Sequence, residues 1–127
     1  MKTSRLPEPY DCLAPDGSEI RLLSATERGS MVHCTLPRGK TSLAVAHRAV
    51  EEIWYFLEGQ GQVWRTLGER EEVVDASPGV SLTIPAGAHF QFRNSGDAPL
   101  RIVLTTMPPW PGDSEAYRVP GHWLVDE

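Results

Sequence analysis

The sequence predicts an all-β fold in one domain, a closed barrel or sandwich of short strands. Three observations carry this. The chain has 127 residues, the size of a single domain with a core of its own. Its 11 Gly and 11 Pro fall between short apolar runs, which is the punctuation of a many-stranded protein. No window holds a helical hydrophobic period; the nearest, Gly112–Val119, is short and flanked by prolines.

Taken in order, residues 1–18 form an extended arm, because Pro7, Pro9 and Pro15 break any ladder and Asp16-Gly17 signals a turn. Residues 19–106 carry the barrel. Its candidate strands are Glu19–Ser24, Ser30–Leu36, Ser42–His47, Glu52–Leu57, Gly61–Leu67, Glu71–Ala76, Val80–Ile84, His89–Asn94 and Leu100–Thr106. Between them stand turns in which Pro presets φ and Gly supplies φ > 0, such as Pro37-Arg38-Gly39 and Pro85-Ala86-Gly87. Residues 107–127 form a Pro- and Trp-rich clip. In Met107-Pro108-Pro109-Trp110-Pro111-Gly112 the prolines remove backbone donors, so regular structure is excluded there. Trp110, Tyr117 and Trp123 need burial. The clip is expected across one barrel face or against a second subunit, with a lid over a pocket as the alternative. An exposed aromatic clip favours a homodimer.

Lys and Arg number 12 against 17 Asp and Glu, a formal net charge of −5. An acidic chain without a basic block argues against nucleic acid and anionic membrane as partners. No apolar run approaches the roughly 20 residues of a membrane helix, and residues 1–12 have no signal-peptide core. A cytoplasmic location is the expectation. Cys12 and Cys34 read as free thiols, with a single disulfide as the alternative.

Two glycine-bounded stretches carry the most specific pattern. The first is Gly39–Gly59, GKTSLAVAHRAVEEIWYFLEG. The second is Gly79–Asn94, GVSLTIPAGAHFQFRN. They resemble the two motifs of the cupin family, G-x5-H-x-H-x4-E-x6-G and G-x5-P-x-G-x2-H-x3-N, and every spacing fits. The resemblance covers roughly residues 30–105. It implies a double-stranded β-helix, a jelly-roll barrel, with a site at its mouth. In the family pattern a divalent metal sits on two His and one Glu of the first motif and one His of the second. This sequence keeps His47 and Glu52, but the other positions hold Val45 and Phe90.

His89 precedes the vacant position. Strict alternation turns Phe90, Phe92 and Asn94 inward and His89, Gln91 and Arg93 outward. A bulge after Gly87 would re-aim His89. His47, Glu52 and His89 would then form a metal face for Fe, Mn, Ni or Zn. Without that bulge, no metal is expected. His47 and Glu52 alone would still suit proton transfer, or would simply be a hydrogen-bonded pair. Glu51 faces the other way. Trp54 and Phe56 share the face of Glu52, so Val45, Trp54, Phe56, Phe90 and Phe92 are candidate pocket walls, or core, and His33 is a further pocket candidate. His33 is the first substitute for a missing ligand.

The expected function is a small-molecule enzyme of isomerase, cyclase, dehydratase or dioxygenase type. It would be metal-assisted or run by His47 and Glu52 as acid and base. The alternatives are a metal-free ligand-binding module and a structural relic that dimerises.

Overall fold

The computed structural model describes residues 1–125. They form the all-β double-stranded β-helix that the sequence predicts. Eleven strands make up two antiparallel sheets. The strands are β1 (Cys12–Leu13), β2 (Glu19–Ala25), β3 (Ser30–Leu36), β4 (Val45–His47), β5 (Glu51–Glu58), β6 (Gly61–Leu67), β7 (Arg70–Ala76), β8 (Ser81–Ile84), β9 (His89–Asn94), β10 (Leu100–Met107) and β11 (Ala116–Arg118). One sheet runs β1-β2-β3-β10-β5-β8 and the other β11-β4-β9-β6-β7. The only helical segment among the described residues is the 3-10 turn Asp113–Glu115.

Alternation along the strands decides what faces inward. On β5, Glu52, Trp54 and Phe56 are buried, while Glu51, Ile53, Tyr55 and Leu57 are exposed. Neighbouring β10 turns Leu100, Ile102, Leu104 and Thr106 inward. Register places Thr106 beside Glu52, Leu104 beside Trp54 and Ile102 beside Phe56. From the facing sheet, β9 contributes Phe90 and Phe92, and β6 contributes Val63. The aromatic rings interlock edge to face: Trp54 meets Phe92 at 5.1 Å and Phe90 at 5.6 Å between centroids.

Two glycines are required where β5 turns into β6. Gly59 has φ +87, and a Cβ there would lie 2.6 Å from the Pro99 carbonyl oxygen. At Gly61 a Cβ would meet Leu100 Cδ2 at 2.7 Å. Both contacts are shorter than a carbon side chain tolerates, so the barrel closes at this end only around bare backbone.

The flanks are more ordered than the sequence suggests. In the arm, β1 pairs with β2, and the Asp16 carbonyl accepts from Leu43 N at 2.8 Å. Arg21 ties the outermost residues by donating to the Pro7 and Glu8 carbonyls. The tail divides in two. Residues 108–112 cross the barrel mouth without ladder pairing, as their prolines dictate. Residues 116–118 then become β11 against β4, a strand the sequence pattern does not reveal. The rest of the tail covers the outer face of the second sheet. There, fully buried Gln91 donates to the Ser42 and Trp123 carbonyls and accepts from His122 N and Trp123 N. Arg93 lies over the Trp123 ring at 4.4 Å, and His122 stacks on Trp64.

Candidate functional site

A cavity of about 470 Å³ opens at the mouth of the barrel. Val45, Trp54, Phe90 and Leu104 form its apolar floor, and His47, Glu52 and Thr106 its polar wall. The arm adds Leu13, Asp16 and Ser18. The tail adds Pro109, Trp110 and Asp113. The volume is that of a small-molecule pocket, mostly apolar with a few convergent polar groups.

Glu52 reaches the cavity because β5 alternates without interruption. It is 5% exposed, and Trp54 Nε1 donates to its Oε1 at 2.9 Å. Burial pushes its carboxyl up to about 7; the Trp54 bond opposes the shift and nearby Asp16 adds to it. His47 stands on β4 in the opposite sheet and is 4% exposed. Its ring sits edge-on between Phe90 at 5.2 Å and Trp110 at 5.1 Å. Burial lowers its pKa to about 4, against the pull of Glu115 and the Val50 backbone. Nδ1 has no hydrogen-bond partner among the described residues.

His47 and Glu52 therefore share a cavity without forming a pair. No hydrogen bond or ion pair joins them among the described residues. The carboxylate that acts on His47 is Glu115, a residue the sequence does not single out. Its Oε1 accepts from Ala49 N and Val50 N, which fixes the corner after β4. Asp16 is the other missed group. The sequence marks it as a turn residue, and it is one: its Oδ1 accepts from Ser18 N and Ser18 Oγ. The same turn hangs over the cavity, and burial raises the Asp16 carboxyl despite those two bonds. No periodicity could have shown this, since Asp16 lies outside the strands.

The remaining candidates divide. Val45, Trp54 and Phe90 are pocket walls. Phe56 and Phe92 lie further along the same faces, fully buried in the core and away from the cavity. His33, the substitute ligand and pocket candidate, does not line the cavity. It occupies the outer face of β3, in register with Arg21 and Val103, while Val32 and Cys34 face in. His89 does not turn inward. It enters β9 in regular register with Ala46 and Thr66, so alternation sends Phe90 into the barrel instead. Arg65 pairs with Glu72 at 2.8 Å and donates to the Thr83 carbonyl, outside the cavity. Both cysteines are free, and burial pushes the Cys34 thiol up.

This geometry can be set beside known proteins. Residues 32–106 match the family model described as a cupin domain. The chain is a cupin. It is 32% identical over 110 residues to an uncharacterized protein of Methanocaldococcus jannaschii, covering 80% of this chain and 85% of that one. Among solved structures it resembles oxalate decarboxylase from Bacillus subtilis. There the TM-score is 0.76 at 15% identity, over 94% of this cupin and 33% of that chain. It also resembles Streptomyces PAC13 with uridine, with a TM-score of 0.71 at 16% identity, over 94% and 92%. At these identities the two structures share the fold with this cupin.

The metal that the family pattern implies does not fit the donors present. Val45 and Phe90, 2% and 1% exposed, fill two of the ligand positions with carbon. His89 is on the other side of its strand. Among the described residues no group of three His, Cys, Asp or Glu side chains is arranged to hold a metal ion. The site's chemistry is that of an imidazole and carboxyl groups in an apolar chamber.

Proposed function

We propose that this cupin is an acid–base enzyme that moves a proton on a small organic molecule held in the barrel mouth. The observation that carries this is Glu52, whose carboxyl is buried in a substrate-sized cavity and pushed up to about 7. A group that titrates near neutrality can both give and take a proton at the pH where the protein works. Trp54 Nε1 fixes one carboxyl oxygen, and the other serves the substrate. His47, lowered to about 4, is neutral and acts as a hydrogen-bonding partner that orients the substrate. Isomerisation, cyclisation and dehydration need only such groups. A second reading is a ligand-binding module without catalysis, favoured by the carbon side chains at Val45 and Phe90.

One experiment separates the two. Thermal-shift screening of a panel of small amines, acids, alcohols and aromatics identifies compounds that stabilise the protein. Each is incubated with the protein in the presence of EDTA and analysed by mass spectrometry. The enzyme reading expects turnover that survives EDTA and falls by roughly 100-fold or more in Glu52→Gln, with binding retained. Stabilising compounds recovered unchanged would establish the binding module instead.

A further inference from the structure

The charges around the cavity are one-sided. Three carboxyl groups line it: Asp16 from the arm, Glu52 from β5 and Asp113 from the tail. No Lys or Arg of the described residues lines it. Among the described residues the only other titratable groups there are His47, neutral through burial, and the Cys12 thiol, whose pKa burial and nearby Asp11 and Asp113 raise. Three aromatic rings, those of Trp54, Phe90 and Trp110, complete the walls. One Glu52 oxygen is engaged by Trp54 Nε1; its other oxygen has no hydrogen-bond partner among the described residues and is open to the cavity, in a residue only 5% exposed.

We infer that the ligand of this cavity is a small organic cation, an amine or quaternary ammonium carried on an apolar body. This rests on the cavity being the small-molecule site. An anionic ligand would meet carboxylates inside low-dielectric walls with no cation to neutralise it. An ammonium group instead completes the unpartnered oxygen of Glu52, lies near Asp16 and shares the cavity with three aromatic rings. The apolar floor takes the rest of the ligand. The arrangement also gives a role to the Asp16 carboxyl, which adds to the burial that raises Glu52: a cation supplied from solution would offset both effects.

The test uses three probes with one ring and three charges: benzylammonium, benzyl alcohol and benzoate. Their affinities for the full chain are measured by calorimetry at pH 8, where Glu52 is ionised. Benzylammonium is expected to bind about tenfold or more tightly than benzyl alcohol, with benzoate weakest. In Asp16→Asn, and separately in Glu52→Gln, the ratio of cation to alcohol affinity should fall several-fold. Asp16→Asn keeps the test sharp if Glu52→Gln folds poorly. Benzyl alcohol or benzoate binding as tightly as benzylammonium overturns the charge inference and leaves the cavity reading standing. An unchanged ratio in both variants also overturns the inference, because the preference would then arise elsewhere. If none of the three binds, the cavity reading fails and this inference with it.

Discussion

β5 delivers Phe56 toward one end of the barrel and Glu52 toward the other, four residues apart on the same face. β9 does the same with Asn94 and Phe90. At the Phe56 end, Val63, Phe92, Leu100 and Ile102 close on one another and leave no room even for a glycine's missing carbon at Gly61. At the Glu52 end the same strands stop filling space. A chamber of about 470 Å³ remains, and segments outside the barrel roof it. One end is therefore a folding core, governed by packing density. The other holds buried ionisable groups, His47 and Glu52, whose charged forms burial penalises.

Phe56→Ala should break the comparison most heavily. It removes a fully buried ring from the filled end and should destabilise the fold by about 3–5 kcal/mol in a denaturant titration. Glu52→Gln should do the opposite at alkaline pH. The folded Glu52 has a raised pKa, so the stability linked to its proton is present below pH 4.5 and lost as pH rises through about 7. The amide keeps an acceptor for Trp54 and removes the buried charge. At pH 8 the variant should be more stable than wild type by up to about 3 kcal/mol, and near pH 4.5 the difference should vanish. A variant that is less stable at pH 8 would mean Glu52 is not penalised by burial.

His47 shifts in the other sense. Its folded pKa is lowered to about 4, so its contribution is present above the ordinary imidazole value and lost as pH falls. His47→Phe should resist acid between about pH 6.5 and 4 better than wild type, by up to about 3 kcal/mol. Gln91→Leu should cost less, about 2 kcal/mol, by leaving the Ser42 and Trp123 groups unpaired. Its signature is faster proteolysis of the tail with the barrel intact. Trp110→Ala should alter stability least, by about 1 kcal/mol or less. Trp110 is half-buried and touches the His47 ring, so the change should appear as weaker ligand binding.

The barrel was legible because its signals are local and periodic. Glu52, Trp54 and Phe56 alternate, and Gly59, Gly79 and Pro85 fall where turns need them. The same alternation placed Phe90 inward and His89 outward, and β9 obeys it. Half of the site was legible for that reason: Val45, His47, Glu52, Trp54 and Phe90 sit on strands. Asp16 and Glu115 were not, because each reaches its place through a long-range docking of arm or tail; Trp110 was legible only as part of a clip with a lid as one alternative. The face of His33 stayed open in the sequence because alternation tells two faces apart without saying which is inside; in the structure it does not line the cavity. The His47–Glu52 pair failed for a related reason: five residues apart in the chain, they end on opposite sheets.

Asp16 and Trp110 both lie outside residues 32–106, the part that matches the cupin domain. The barrel supplies the chamber, while residues before and after it supply an acid and an aromatic roof. On the proposed reading, substitution in those flanks should change ligand preference without disturbing a single motif position. Two cupins with the same barrel motifs and different flanks should be expected to hold different molecules.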